Sequence, residues 1–568
     1  MVKLTDYLKP YLGRMIVGFT IKLSGVIMDL LIPFILAYII DDIVPQKNVK
    51  LVVFWGLVMI LCAVTDLIAN VIANRMASRV AGNITRNIRH DLFVRISYLS
   101  NKQIDEITLP TLISRLTTDT YNVHNLLGMM QRLGVRAPFI VIGGVIVTFM
   151  LDYVLALTLL ILLPLIFGIV LYISKIGIPL YTEIQIAVDS LVRVIRENIT
   201  GVRVIKALSK TDYEKKRFEG ANTNVVNKEK RAGFTMAATS PVLNFILNLG
   251  LTLVIIIGAF RVNSGNSEPG KIIAFMTYFT IILNSMLMIS RIFMTFSKGT
   301  ASFERIAEII STPVDFRLQA PREIETGDFI VFDDVSFSYG KDEWGLKNVS
   351  FSLKKGGTLG IIGPTGSGKS TLVKLLMRLY VPDSGSIYIG GKDILGIPDD
   401  EFYQKFGVVF QNDVLFKDTI RENIAFGRNV SEEQIDEAIS IAQAKEFIMQ
   451  KENNLDFELT TRATNLSGGQ KQRLLISRAI VLRPEILILD DSDSALDYRT
   501  SANLRREINQ KLSDLTSIII TQRVSSIKNA DLILVIENGK ITHMGRHDEL
   551  LENCEYYKKV YEIQMGAL

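Results

Sequence analysis

Cysteine and histidine are scarce in this chain of 568 residues. Its two cysteines, Cys62 and Cys554, provide neither a disulfide framework nor a cysteine-based metal site. The four histidines show no metal-ligand spacing; they are His90, His124, His543 and His547. Charged residues make up only 21% of the chain, and a net charge of +5 over this length is no signature of nucleic-acid binding. We therefore expect no nucleic-acid partner.

Long apolar runs are abundant, and hydrophobic residues make up 48% of the sequence. A membrane-spanning helix needs about 20 apolar residues to cross a hydrocarbon core of about 30 Å. Runs of this kind predict six spans, at residues 15–40, 51–74, 135–151, 154–174, 242–262 and 271–296. Only "LDY" separates the third run from the fourth, so a buried core helix is the alternative for either of them.

The connections between the predicted spans alternate in length and charge. The stretches from about 75 to 134 and from 175 to 240 are long, polar and rich in Arg and Lys, whereas the other three connections are short. The positive-inside rule predicts that both termini lie in the cytoplasm. We expect a multi-pass protein of the plasma membrane. The helix-like periodicity of the long stretches predicts that the spans extend into the cytosol. Asp29 lies within the first apolar run, where it either lines a translocation path or pairs between helices.

The character of the sequence changes after the stretch "TPVDFRLQAPREIETGD", where short β-rich runs alternate with loops and helices. We predict a transmembrane domain over 1–312, a linker over 313–326 and a nucleotide-binding domain over 327–568. The predicted fold class is therefore an all-α domain of six membrane helices followed by an α/β domain.

The stretch "LGIIGPTGSGKST" matches the pattern of a phosphate-binding loop between a strand and a helix. Glycines let the backbone curl so that successive N–H groups face a phosphate at the start of the helix. Lys369 would reach the β- and γ-phosphates of a nucleotide, and Ser370 would bind Mg²⁺. The predicted nucleotide-binding residues of this loop are Gly363, Pro364, Thr365, Gly366, Ser367, Gly368, Lys369, Ser370 and Thr371.

A second apolar strand, "EILILD", ends at Asp490, where a carboxylate would hold the metal through water. Asp491 follows at the position from which a carboxylate would polarise the attacking water. Between the two motifs lies "NLSGGQKQR", whose glycines precede a helix. That loop is either a second anion-binding site or only a helix cap.

The order of these motifs resembles that of ATP-binding cassette (ABC) transporters, and specifically of multidrug-exporter-like half-transporters. The motifs are "VSFSYG", "GPTGSGKS", "VVFQND", "LSGGQ", "LILDD" and "SALD", and the resemblance covers essentially the whole chain. It implies that Tyr339 stacks on adenine and that Gln411 senses Mg²⁺, which Ser370 and Asp490 also bind. By itself, Tyr339 could equally be an aromatic residue on a strand face.

In this family two cassettes enclose two ATP molecules, and the resemblance implies that the signature faces the ATP of a partner. The signature residues so assigned are Ser467, Gly468, Gly469 and Gln470. The resemblance also implies short coupling helices near Thr117–Thr120 and Lys210–Tyr213.

Two residues depart from the family's pattern. Asp491 stands where a Glu is usual, and Gln522 stands where a His is usual. The shorter side chain withdraws the carboxylate by about 1.5 Å, and a misplacement of about 1 Å can slow a reaction about 100-fold. An amide carries no titratable proton near neutral pH. The pattern predicts a degenerate site in one subunit of a heterodimer, although a homodimer that tolerates Asp491 is an alternative.

The sequence thus predicts a transport ATPase that exports amphipathic or hydrophobic compounds, whether drug-, lipid- or peptide-like, and that hydrolyses ATP weakly at its own site. Its expected partners are a second half-transporter, the lipid bilayer and a small amphipathic substrate. An ATP-gated channel or a regulatory membrane protein is the alternative. The spans are rich in Phe, Met, Leu and Ile, but lipid-facing helices need the same residues, so the substrate stays open.

Overall fold

The computed structural model describes residues 2–313, 315, 318–340 and 343–565. It divides the chain into two compact units. The first comprises Met1–Tyr98 and Ile107–Pro313, and the second comprises Leu99–Glu106 and Val314–Leu568. The sequence assigned all of residues 1–312 to the membrane domain, whereas the structure groups Leu99–Glu106 with the second unit.

Helices form the first unit. The helices up to residue 311 are α1 (Leu4–Leu8), α2 (Leu12–Tyr38), α3 (Val49–Ser97), α4 (Asn101–Ile107), α5 (Leu109–Ser114), α6 (Thr120–Leu151), α7 (Tyr153–Thr200), α8 (Val202–Ala207), α9 (Thr211–Ala237), α10 (Thr239–Asn263) and α11 (Pro269–Ser311). Of these, α4 belongs to the second unit, except for its last residue, Ile107. Wider π turns at Ile39–Ile43 and Arg115–Asp119 continue α2 and precede α6.

Several of these helices are much longer than a bilayer is thick. At 1.5 Å per residue, the 49 residues of α3 extend about 74 Å. Five helical segments of the described chain are long and apolar enough to cross a membrane: Leu4–Gln46, Val49–Ser97, Leu109–Leu151, Asn244–Asn263 and Pro269–Ser311. The fourth predicted span corresponds to a shorter apolar stretch, Tyr153–Ile169, at the start of α7. The helix count is therefore roughly the predicted one.

The core of the first unit is formed by α2, α6, α7, α10 and α11. Tyr278, Phe279 and Ile282 of α11 are fully buried in it, and they cluster with Leu30 of α2. Close approach of the helices depends on small residues, because a Cβ at Gly144 would lie 2.8 Å from a side-chain carbon of Ile282. Within a bilayer, close van der Waals packing of this kind stabilises the contacts between helices.

Polar side chains within the apolar segments are paired between helices. Arg136 of α6 donates a hydrogen bond of 2.9 Å to Asp29 of α2. Lys22 donates to Asn70 and, at 3.1 Å, to Asn74. Of the two roles predicted for Asp29, the structure thus shows pairing between helices.

The second unit contains two sheets and surrounding helices. Its strands are β1 (Ile330–Gly340), β2 (Glu343–Leu353), β3 (Thr358–Ile362), β4 (Ser384–Ile389), β5 (Lys392–Asp393), β6 (Phe406–Val409), β7 (Ile486–Asp490), β8 (Thr516–Ile520), β9 (Leu532–Glu537) and β10 (Lys540–Gly545). Its other helices are α12 (Lys369–Leu376), α13 (Asp399–Gln404), α14 (Ile420–Ala425), α15 (Glu432–Ile441), α16 (Lys445–Met449), α17 (Gly468–Ile480), α18 (Tyr498–Lys511), α19 (Val524–Ile527), α20 (His547–Asn553) and α21 (Glu555–Met565).

The larger sheet has the strand order β10-β9-β3-β8-β7-β6 and is parallel except for the pair of β9 and β10. Strand β7 is buried along its whole length, as expected of a parallel sheet covered on both faces. Ile520 of β8 is opposite both Ile361 of β3 and Asp490 of β7. The carboxyl ends of these three strands therefore meet at one edge, which is where α/β sheets bind ligands.

The segment Leu99–Glu106 joins the second unit through polar contacts. Tyr380 donates a hydrogen bond from its hydroxyl to Asp105, and Gln103 donates one of 2.8 Å to Asp315. By contrast, Thr117–Thr120 and Lys210–Tyr213, which the family resemblance marked as coupling helices, both lie in the first unit. Asp119 forms ion pairs there with Arg115 and Arg305.

Candidate functional site

A cavity of about 300 Å³ lies where β3, β7 and β8 end. It collects residues from six separate stretches of the second unit. Its lining consists of Tyr339, Gly345, Thr365, Gly366, Gly368, Lys369, Ser370, Thr371, Gln411, Asp490, Asp491, Ile520, Thr521 and Gln522. Most of the residues predicted for nucleotide binding are therefore gathered around one space.

The loop between β3 and α12 has a backbone that only glycine fits at two positions. Gly368 has φ +107, and a Cβ there would lie 2.5 Å from the carbonyl oxygen of Gly345. At Gly363, a Cβ would lie 2.0 Å from the carbonyl oxygen of Ile536. These contacts explain why the loop requires glycine, because any larger residue would displace neighbouring backbone.

Helix α12 begins at this loop without a side-chain cap, because Gly368 occupies the N-cap position. The first backbone N–H groups of the helix are thus left for a ligand, and the helix dipole favours an anion there. Lys369 donates hydrogen bonds to the carbonyl oxygens of Gly363 at 2.9 Å and Pro364 at 2.7 Å. Burial lowers the pKa of Lys369, while Asp490 and Asp491 act in the opposite direction.

Ser367 of this loop carries a hydroxyl that is unpaired among the described residues, although it does not line the cavity. Its hydroxyl oxygen is buried and has no hydrogen-bond partner within the described chain. A buried polar atom without a partner is costly, and such groups are rare in native proteins. A phosphate bound by the loop would accept hydrogen bonds from the Ser367 hydroxyl and from the neighbouring backbone N–H groups.

Asp490 and Ser370 supply hard oxygen ligands of the kind that Mg²⁺ prefers. Asp490 is buried at the end of β7 and accepts a hydrogen bond from Ser370. Burial raises the pKa of Asp490, and the hydrogen bond from Ser370 opposes this shift. Gln411, which follows β6, lines the same cavity with its exposed side chain. The three side chains fit a magnesium site.

Asp491 and Gln522 both line the cavity. They follow β7 and β8, which are neighbouring strands of the larger sheet. Asp491 has a left-handed backbone with φ +51, and its N–H donates to the carbonyl oxygen of Ile520 at 2.9 Å. Burial raises the pKa of Asp491, and the positive charge of Arg523 opposes the shift. The carbonyl oxygen of Gln522 accepts a hydrogen bond of 2.6 Å from the Gln564 side chain, which fixes the backbone after β8.

Tyr339 stands at the entrance of the cavity with 43% of its surface exposed. Its hydroxyl is 3.2 Å from the Thr371 hydroxyl, and the Lys374 ammonium lies 5.5 Å from its ring centroid. The ring of Tyr380 contacts it edge to face at 5.4 Å. An exposed face on a fixed aromatic ring is suitable for stacking on a base.

The signature residues lie outside the lining of this cavity. Ser467 caps α17, because its hydroxyl accepts from the Gln470 N–H at 3.3 Å and its own N–H donates to the Gln470 side chain at 3.0 Å. Gly468 and Gly469 form the first turn of that helix. Three other predicted residues, Gly363, Pro364 and Ser367, belong to the phosphate-binding loop but are not in the lining.

Sequence reasoning missed two features of the second unit. Gly345, Ile520 and Thr521 also line the cavity, but none of them was among the predicted site residues. The segment Leu99–Glu106 carried a signal that was overlooked. Ser100 and Gln103 form a reciprocal capping box, with bonds of 3.1 Å and 3.2 Å, which marks a separate helix at "SNKQ".

Comparisons with known proteins agree with this architecture. The family model for the ABC transporter transmembrane region matches residues 15–286, and the model for the ABC transporter matches residues 346–494. The uncharacterized ABC transporter ATP-binding protein YfiB of Bacillus subtilis (strain 168) is 36% identical over 568 residues, which is 100% of this chain and 99% of that protein.

A second relative is the uncharacterized ABC transporter ATP-binding protein Rv1273c of Mycobacterium tuberculosis (strain ATCC 25618 / H37Rv). It is 31% identical over 98% of this chain and 96% of its own length. The solved structure of a bacterial Atm1-family ABC exporter with ATP bound has a TM-score of 0.82, covers 98% of both chains and is 23% identical, which supports the fold. The chain therefore belongs to the ABC transporter family, as a membrane protein with a helical transmembrane domain and a cytoplasmic ATP-binding cassette that is coupled to transport.

Proposed function

We propose that this chain is one subunit of a heterodimeric, multidrug-exporter-like transporter in the plasma membrane. It uses ATP to move amphipathic or hydrophobic compounds out of the cytoplasm or the inner leaflet. ATP held in its own cavity turns over slowly, and its signature residues complete the hydrolytic site of a second half-transporter. Both termini lie in the cytoplasm.

The observation that carries this proposal is the pair of residues at the reacting end of the cavity. Asp491 and Gln522 line it together, at the positions where the family has a glutamate and a histidine. The shorter carboxylate activates water poorly, and the amide cannot exchange a proton near neutral pH. The signature, with Ser467 at its start, lies outside this cavity, which supports a role at a second ATP.

Mg²⁺ is expected with the nucleotide. When bound, it would neutralise charge that develops on the transferred phosphoryl group. Ser370, Gln411 and Asp490 would hold the metal, because they bring three oxygen donors to the cavity. Lys369 would leave the loop carbonyls and bind phosphate oxygens.

The aromatic pair beside the cavity supports a route from ATP binding to the membrane helices. Tyr339 contacts Tyr380, and Tyr380 donates a hydrogen bond to Asp105. The segment Leu99–Glu106 is continuous in sequence with α3 on one side and α5 on the other. A change in the position of the cassette would therefore act on both of these helices.

The homodimer is the alternative, and the activity of the purified chain distinguishes it from the proposal. We expect little magnesium-dependent ATPase activity from the chain alone, because both chemical groups of its cavity are weak. Rapid turnover by a demonstrated homodimer would contradict the proposal.

A repaired variant provides the matching gain-of-function test. Asp491→Glu combined with Gln522→His should raise turnover at this chain's own site, provided that the partner's signature can complete it. Each single substitution should restore less than the pair. In an assembled transporter whose partner has an intact signature, no gain from the double variant would show that these two residues do not limit hydrolysis.

A further inference from the structure

A second cavity, in the first unit, carries positive charge without a matching negative charge. It has a volume of about 420 Å³ and lies between α6 and α11. Its lining consists of Asn122, Asn125, Met129, Arg132, Met294, Thr295 and Lys298. The lining thus contains two cations, two amides and two methionines, but no carboxylate.

The lining residues form one face on each helix. On α6 they follow the spacing of three and four residues from Asn122 to Arg132, and on α11 they extend from Met294 to Lys298. The helices meet below the cavity, where Asn122 donates a hydrogen bond of 3.0 Å to Ser302. A Cβ at Gly299 would lie 2.5 Å from Leu126, so the packing there is tight. The cavity is therefore part of the helix packing.

The two cations differ from two other basic groups of the membrane segments, Lys22 and Arg136. Arg136 pairs with Asp29, and Lys22 has two asparagine partners. Among the described residues, no carboxylate forms an ion pair with Arg132 or Lys298. Arg132 donates from Nε to the carbonyl oxygen of Gly128 at 3.0 Å, which orients its guanidinium group.

The position of these cations along the helices indicates headgroup depth. Arg132 precedes the predicted third span by three residues, and Lys298 follows the predicted sixth span by two. At 1.5 Å per residue these offsets correspond to about 3 to 5 Å along the helix axis. An acidic group near the cations would leave an attached apolar body at the level of the hydrocarbon, beside Met294.

We propose that this cavity binds the acidic headgroup, a phosphate or carboxylate, of an amphipathic compound that the transporter moves. Arg132 supplies a planar donor for the two oxygens of the acid, and Lys298 adds a second charge. The asparagines donate further hydrogen bonds, and the flexible methionines accept apolar bodies of different shapes. This inference rests on the proposed export function and narrows its substrate class to anionic amphiphiles.

The test measures binding without ATP, with the full chain in neutral maltoside micelles. Three fluorescent probes share one dodecyl tail and carry a phosphate, a trimethylammonium or a maltoside head. We expect the phosphate probe to bind at least tenfold more tightly than the ammonium probe. Equal affinities for the three heads would overturn the proposal.

Variants locate the site. Arg132→Gln should weaken binding of the phosphate probe about tenfold, and Lys298→Gln about threefold because this side chain is exposed. Arg132→Lys and Lys298→Arg should retain most of the affinity, which separates charge from packing. Arg75→Gln and Lys50→Gln, at exposed cations outside the cavity, are the controls. Equal losses of affinity in the control and cavity variants would indicate general attraction of the probe to the protein surface. That result would overturn the assignment of the binding site to this cavity.

Competition separates an amphiphile from a free anion. A short-chain phosphatidic acid should displace the phosphate probe, and inorganic phosphate at the same concentration should not. Displacement by inorganic phosphate would overturn the proposal that the ligand is an amphiphile.

Transport of the phosphate probe by the assembled transporter is measured separately, in proteoliposomes with ATP. Binding preference without any ATP-driven movement would contradict the export function. ATP-driven movement of other compounds without the binding preference would contradict only the substrate class.

Discussion

The phosphate-binding loop and the signature loop both place glycines before a helix, but they treat the helix start differently. Helix α12 has Gly368 at its N-cap and no side-chain cap, so its first N–H groups are left for a ligand. Helix α17 has Ser467 at its N-cap, where a reciprocal bond with Gln470 already satisfies the helix start. A glycine-rich helix start is therefore not by itself evidence of a phosphate site.

The difference has a chemical consequence for the proposed dimer. An uncapped start that lines a cavity can bind a nucleotide within this chain. A capped start outside that cavity presents a preorganised serine hydroxyl and two glycine N–H groups to a different ligand. The substitutions below separate these two roles.

The largest expected effect is at the signature. In the assembled transporter, Ser467→Ala should lower ATP hydrolysis about 100-fold, because it removes a donor from the competent site that we propose for the partner. Asp491→Asn should change the rate less than about threefold, because we propose that its own site is already slow. Rates at saturating ATP decide between them, and an equal or reversed ranking would contradict the division of labour.

A matched control shows how much of the Ser467→Ala effect comes from the loss of a helix cap alone. Ser431 caps α15 through a reciprocal bond with Gln434, in the same way as Ser467 caps α17. Ser431→Ala should lose a similar capping free energy of about 1 kcal/mol without slowing hydrolysis.

The second prediction concerns Lys369. Its substitution by Ala should lower nucleotide occupancy of this chain's site by about 10- to 150-fold, the effect of losing one charge-assisted contact of about 1.5 to 3 kcal/mol. Some hydrolysis at the partner's site should persist. Labelled-nucleotide binding measures the effect, with the exposed Lys354→Ala as control. Unchanged occupancy would show that the loop does not hold the phosphates in this way.

The third prediction compares the two loops by backbone strain. Gly368→Ala forces a Cβ against the Gly345 carbonyl oxygen and should lower the free energy of unfolding by about 1 to 3 kcal/mol. At Gly468 the nearest atom to a Cβ is 3.8 Å away, so Gly468→Ala should change stability by less than about 0.5 kcal/mol. Denaturant unfolding of the full chain tests both. Similar losses would show that the signature start is as constrained as the phosphate-binding loop.

The smallest effect concerns the buried carboxylate of the phosphate site. Burial raises the pKa of Asp490 from its ordinary value of 3.8. The folded state therefore binds this proton more tightly than the unfolded state, so stability decreases as pH rises through the raised pKa. Asp490→Asn should remove that loss, which raises Tm at neutral pH and flattens its pH dependence.

Nucleotide binding by the same variant should become insensitive to magnesium, because a metal ligand is lost. The exposed Asp514→Asn is the control for both measurements. A lower Tm for Asp490→Asn at neutral pH would contradict the conclusion that burial of the charged Asp490 carboxylate lowers stability.

Local patterns predicted the phosphate-binding loop and the central strands well, because glycine spacing and apolar runs act over few residues. The loop from Gly363 to Lys369 forms as expected between β3 and α12. The segment Leu99–Glu106 was missed because its partners are far away in sequence. Asp105 and Tyr380 are 275 positions apart, and a short polar helix shows no periodicity strong enough to reveal such a contact. The fourth predicted span, 154–174, corresponds in the structure to a shorter apolar stretch, Tyr153–Ile169.

The placement of Leu99–Glu106 affects how this protein can be divided. The chain passes between the two compact units after Tyr98, after Glu106 and after Pro313. A truncated chain that starts at residue 327 lacks both Asp105, the acceptor for Tyr380, and Asp315. It would leave the surface around Tyr380 open to water, although this side chain is 9% exposed in the full chain. Soluble fragments of the cassette thus lack part of their own fold, and measurements of their stability underestimate that of the complete unit.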